Sequence, residues 1–149
     1  MEVYKIYLAG GMGNFGDKDF DKSNSWRLHC KSELNSFAHN FYTNYSLKII
    51  NPNDYYNFKD SPARYKTQRE VMEYDLNHVR TSNLIIVNFN DVYSLGTMAE
   101  LAIAYELKIP IIGLNKDDLE LHPWQIEMTN RIFNDLDKLL DYIEQYYLT

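Results

Sequence analysis

Two carboxylates in this sequence sit where carboxylates can act on an electrophilic carbon. The first is Glu100, in the stretch Asn90-Asp91-Val92-Tyr93-Ser94-Leu95-Gly96-Thr97-Met98-Ala99-Glu100-Leu101. The apolar run Leu84-Ile85-Ile86-Val87 before it reads as a fully buried parallel strand. Met98 to Leu107 is rich in good helix formers and reads as a helix. A loop with Ser and Gly between such a strand and helix marks the crevice where open α/β sheets bind ligands. Glu100 falls in the expected first helical turn, where the helix dipole favours an ionised carboxylate by about 0.3–1 kcal/mol. A carboxylate held that way can serve as a nucleophile toward a sugar carbon. The same residues also read as a capping box, in which Thr97 and Glu100 satisfy each other's backbone N–H groups. The local pattern leaves both readings open.

The second carboxylate is Asp75, in a helix expected from about Ala63 to Arg80. Its apolar positions are Tyr65, Met72, Leu76 and Val79, with Val71 beside them. Asp75 lies four residues after Val71 and four before Val79, at the edge of the apolar face. Partial burial and the nearby helix C-terminus would both raise its pKa, as acid/base work requires. Read blandly, it is a half-exposed acid paired with Arg80 or His78.

Gly11-Met12-Gly13-Asn14-Phe15-Gly16 fits the dinucleotide fingerprint to the letter. That fingerprint needs a helix opening within the glycines, whereas Asp17 to Asn24 reads as a polar loop. It also needs an acid at the end of strand two, where Asn51-Pro52-Asn53 stands instead. The glycines are better read as places where backbone can approach a small ligand. His29, His39, His78 and His122 show no HxxxH or HxH spacing, so neither a metal site nor a cofactor is expected.

The elements that must position these residues follow from the apolar pattern. Val3 to Ala9 reads as strand one, Leu47 to Ile50 as strand two and Ile109 to Leu114 as strand four, with Arg131 to Phe133 a brief fifth. Ser25 to about Ala38 reads as a helix with Trp26, Cys30 or His29, Leu34 and Phe37 on its apolar stripe. A helix from Asp135 to Tyr147 closes the chain, and a long aromatic loop with Tyr55, Tyr56 and Phe58 is of the kind that forms lids. The alternation predicts one α/β domain over 1–149, a doubly wound five-stranded parallel sheet in the order 2-1-3-4-5. Its switch point between strands one and three would set Tyr7, Gly10 and Gly11 beside Ser94 and Glu100.

The net charge of −6 argues against a nucleic acid polymer as partner, without excluding a single nucleotide. The one cysteine, Cys30, cannot form an internal disulfide and reads as a small core residue of a protein in a reducing compartment. There is no leader pattern and no apolar run near the roughly 20 residues of a membrane span, so a cytoplasmic protein without membrane contact is expected.

Four separated pieces match one pattern: Lys5-Ile6-Tyr7-Leu8-Ala9-Gly10-Gly11, Tyr74-Asp75-Leu76, Asn83-Leu84-Ile85-Ile86-Val87, and Ser94 to Leu101 with Ala104. Together they resemble the nucleoside 2-deoxyribosyltransferase superfamily, which cleaves the N-glycosidic bond of 2'-deoxynucleosides or their 5'-monophosphates. The resemblance implies Glu100 as nucleophile toward C1', Asp75 as acid/base for the base, and Tyr7 as the group that orients Glu100. It implies substrate contacts from Gly10, Gly11, Met12, Asp91, Ser94 and Gly96. The transferases commonly carry Asp where this chain has Ser94, whereas the family's monophosphate hydrolases carry Ser; Asp91 can substitute if the loop folds to allow it. The resemblance also implies a homo-oligomer, with Trp124 or Met128 of the aromatic segment 122–128 near a partner's active site.

Overall fold

The computed structural model describes residues 2–12, 18–41, 44–54 and 67–149, with the side chains of 18–20 excepted. Five strands carry the fold: β1 (Glu2–Gly10), β2 (Tyr45–Ile50), β3 (Leu84–Asn88), β4 (Ile111–Leu114) and β5 (Arg131–Phe133). All pair in parallel, in the order β2-β1-β3-β4-β5. This is the doubly wound α/β sheet expected from the sequence, with its switch point between β1 and β3. The helices are α1 (Lys18–Asn40), α2 (Gln68–Arg80), α3 (Leu95–Glu106), α4 (Pro123–Met128) and α5 (Leu136–Tyr146).

Helices cover both faces, which is why the central strands are apolar without alternation. On one face Ile6 and Leu8 pack with Leu84 and Ile86 against Trp26, Cys30 and Leu34 of α1 and Leu139, Leu140 and Ile143 of α5. On the other, Tyr7 and Ala9 join Ile85 and Val87 against Val79 of α2 and Leu101 and Ala104 of α3. Alternation along β1 therefore sends Tyr7 to the α2/α3 side. That side holds the reaction centre proposed below.

Some expectations change. The polar stretch 18–24 is helical, because α1 opens at Lys18 rather than Ser25. This first part is held down by Ser23, whose hydroxyl donates to the Met12 carbonyl at 2.7 Å. Met72, expected on the apolar stripe of α2, is 53% exposed. Cys30 rather than His29 takes the inner place on α1; His29 faces Asp137 across 2.9 Å at the surface. Gly13 and Gly16, Tyr65 and the Tyr55–Phe58 loop lie outside the described residues. Among the described residues no helix is long and apolar enough to cross a membrane, and no cluster of His, Cys, Asp and Glu could hold a metal ion.

Candidate active site

Chain leaving β3 turns through Asn90 and Asp91 and enters α3 at Ser94, which caps the helix. The Ser94 hydroxyl accepts from the Thr97 N–H at 3.4 Å and shares a hydrogen bond with the Thr97 hydroxyl at 2.8 Å. The expected Thr97–Glu100 capping box is therefore not formed. Ser94 is itself a good cap, so the helix begins one turn earlier and carries Glu100 into its second turn. There the helix dipole has fallen off. Burial decides instead: Glu100 is 9% exposed, and loss of water pushes its carboxyl up to about 8. At neutral pH it is mostly protonated, not held ionised as the helix-start reading implied.

Three groups act on Glu100 besides burial. The Tyr7 phenol hydrogen-bonds it and lowers its pKa, Asp75 raises it, and the Arg27 guanidinium lowers it. Tyr7 is 1% exposed and its own pKa lies well above 10, through burial first and Glu100 second. The phenol thus stays a donor across the working range. The second carboxyl oxygen, Oε2, is buried and makes no hydrogen bond among the described residues. An open, buried carboxyl oxygen needs an explanation, and a reacting partner is one. Asp75 is half-buried at mid-helix in the 13-residue α2, too far from the helix end for the dipole effect expected of it. It interacts electrostatically with both Tyr7 and Glu100. So β1, α2 and α3 bring together the three residues expected to be catalytic.

The glycines after β1 form the neighbouring wall. Gly10 has φ +151°, and a Cβ there would lie 2.9 Å from the Asn88 carbonyl. The Gly11 N–H donates to Asn90 Oδ1 at 2.9 Å, and Asn90 Nδ2 donates back to the Gly11 carbonyl at 3.0 Å. This two-point clamp ties the end of β1 to the loop after β3, across the switch point. Asp91 stands at the exposed rim, its Oδ1 accepting from the Tyr93 N–H at 3.0 Å. Its Cβ leaves no room for a side chain at Gly11, which would approach to 2.9 Å. Met12 is half-buried next in line. Gly96 is exposed in the first turn of α3, with nothing within 4 Å of where a Cβ would stand. A cleft of about 970 Å³ on the α1/α5 side reaches Gly11, Asn90 and Asp91 but does not include Tyr7, Asp75 or Glu100.

Sequence reasoning missed Asn90 and Arg27. Asn90 gives no local signal, since its role depends on a glycine 79 positions away. Arg27 did give one: it shares a helical stripe with Cys30 and Leu34, and a charge on an apolar stripe is conspicuous.

A doubly wound α/β sheet binds ligands at its switch point, and a buried carboxyl of raised pKa near it is the kind of group found at functional sites. The family model described as nucleoside 2-deoxyribosyltransferase matches residues 6–139, nearly the whole chain, and the chain belongs to that family. It is thereby one of the enzymes that transfer or release groups at N-glycosidic bonds. No curated protein matches the chain. Among solved structures, a 2-deoxyribosyltransferase from Bacillus psychrosaccharolyticus is similar at 16% identity and TM-score 0.70, covering 93% of this chain and 91% of its own. A conserved protein from Enterococcus faecalis V583 gives 16% identity and TM-score 0.71, with 96% and 98% covered. A CMP N-glycosidase from Clostridium botulinum gives 17% identity and TM-score 0.54, with 95% and 98% covered. At such identities the likeness is one of fold.

Proposed function

We propose that this chain cleaves the N-glycosidic bond of a 2'-deoxynucleoside and transfers the deoxyribose to another base through a covalent ester on Glu100. The observation that carries the reading is Glu100 itself: buried, hydrogen-bonded by Tyr7, with Oε2 open and Asp75 in the same field. In the first step the ionised form of Glu100, its proton already lost to solvent, attacks C1' through Oε2, the bond from C1' to the base nitrogen breaks, and its electron pair leaves with the base. Asp75 gives that base a proton. In the second step a nitrogen of the incoming base attacks C1', Asp75 takes up its proton, and the ester bond returns its electrons to Glu100. The oxocarbenium-like transition state carries positive charge next to Glu100, so its arrival favours the anion that the dry pocket disfavours at rest. On this reading Gly10, Gly11, Met12, Asp91, Ser94 and Gly96 would contact the sugar and base.

A second reading has its own observation. Ser94 stands at the start of α3 with open space at Gly96, and helix-start N–H groups suit a phosphate. On that reading the substrate is a 2'-deoxynucleoside 5'-monophosphate, and water rather than a base opens the ester. One assay separates the two. Deoxyinosine with adenine is predicted to give deoxyadenosine and hypoxanthine. Free base from a deoxynucleoside monophosphate, with no exchange, would favour the hydrolase instead, and binding without turnover of either would defeat both.

A further inference from the structure

Arg27 is completely buried in α1, and a buried guanidinium is costly unless its donors are met. Each of its three nitrogens finds a main-chain acceptor: Nε donates to the Leu8 carbonyl at 3.3 Å, Nη2 to the Gly10 carbonyl at 2.9 Å and Nη1 to the Ser23 carbonyl at 2.7 Å. The first two have a cause in the sheet. The Lys5 carbonyl accepts from the Asn83 N–H just before β3, so by alternation those of Leu8 and Gly10 face the β2 side. There β2 pairs with β1 only as far as Tyr7 against Ile50. The donor next in register for Leu8 would be residue 52, which is Pro52 and has no N–H. Arg27 fills the place of the missing strand.

All three hydrogen bonds go to neutral oxygens, so they satisfy those donors without neutralising the charge. The charged and titratable groups in electrostatic contact with Arg27 are Tyr7, Glu100, Cys30 and Asp75. Those acting on Glu100 are Tyr7 from β1, Asp75 from α2 and Arg27 from α1. Arg27 is the cation of that set. We propose that Arg27 is a positioning residue for the reaction centre: its guanidinium fixes the carboxyl end of β1 beneath Tyr7 and the glycines, and its charge favours the ionised form of Glu100. Burial brings Arg27 down to about 10 and Glu100 up to about 8, and against those shifts the two act reciprocally, Glu100 raising the pKa of Arg27 and Arg27 lowering that of Glu100. The positive charge that favours the carboxylate is thus itself buried. The inference rests on the role given to Glu100 above, and its test does not need turnover.

The test is an NMR titration of the Arg27 Nε–H resonance, in wild-type protein and in Glu100→Gln, between pH 6 and 10. The resonance is expected to move with the midpoint of Glu100, about 8, and to lose that step in Glu100→Gln. A resonance that stays flat, or that keeps the same step without the carboxyl, overturns the proposal. Kinetics supply the second arm. Arg27→Lys keeps the charge, so the ascending limb of the kcat/KM profile should stay in place while kcat falls as β1 loosens. Arg27→Gln should carry that limb upward by about one pH unit. A folded Arg27→Gln protein with an unmoved limb contradicts the charge role, and if it does not fold the NMR titration decides. Absence of any glycosyl chemistry in the wild type would instead count against the function and leave the NMR result standing.

Discussion

Glu100 is defined by what surrounds it more than by where it lies in the chain. Its position was legible, because a buried strand, a loop with Ser94 and Gly96 and a helix must bring something to the crevice. Its protonation was not legible, since that depends on Tyr7, Asp75 and Arg27 arriving from three other elements. The raised pKa has a consequence for stability. Between the ordinary value of 4.5 and the folded value of about 8, the unfolded chain has lost the proton that the folded protein keeps. Folding stability from this group is therefore fully present below about pH 4.5 and falls as pH rises toward 8. Glu100→Gln cannot ionise and escapes that loss. It should melt above the wild type at pH 9, with the gap closing toward pH 5. Melting curves that differ equally at both pH values would show that Glu100 is not held protonated by the fold.

At the scale of elements, the site is a meeting of strand ends and helix starts. The strands were legible because burial on both faces leaves uninterrupted apolar runs such as Leu84 to Val87. The first part of α1 was not, since Asp19, Asp21, Lys22 and Asn24 give no apolar stripe. Its order comes from tertiary contacts, Ser23 to Met12 and Arg27 to β1, that no local pattern reports. The start of α3 was misplaced for a different reason: Ser94 and Thr97 both make good caps, and only the fold chooses. The side-by-side packing of α2 and α3 is what brings Asp75 into the field of Glu100. Asp75→Asn is expected to fold and to lose the most turnover, by roughly 10²-fold or more, with bases that leave poorly. Equal losses for good and poor leaving bases would deny Asp75 the proton transfer.

The whole molecule exposes large apolar side chains at the entry to α3 and on α4, which packs against α3. Tyr93, Leu95 and Trp124 are 87%, 86% and 71% exposed, and Ile126 is 49% exposed. They are held together because the buried Gln125 of α4 donates to the Val92 carbonyl at 3.1 Å, while His122 caps the helix. Aromatic and aliphatic side chains of this kind suit the centre of an interface. The expected state is a homo-oligomer, at least a dimer, with Trp124 or Met128 near a partner's active site. Light scattering at micromolar concentration should give a mass of at least twice 17.7 kDa, and a fully active monomer would contradict it.

The central claim is that Glu100 takes the sugar covalently, and one measurement reaches it directly. Protein turning over a 2'-deoxynucleoside is quenched in acid, digested and mapped by mass spectrometry. The account predicts a deoxyribosyl ester on the peptide that carries Glu100, absent from Glu100→Gln, whose turnover should fall by roughly 10³-fold or more. An adduct on another residue, or near wild-type turnover in folded Glu100→Gln, would contradict it.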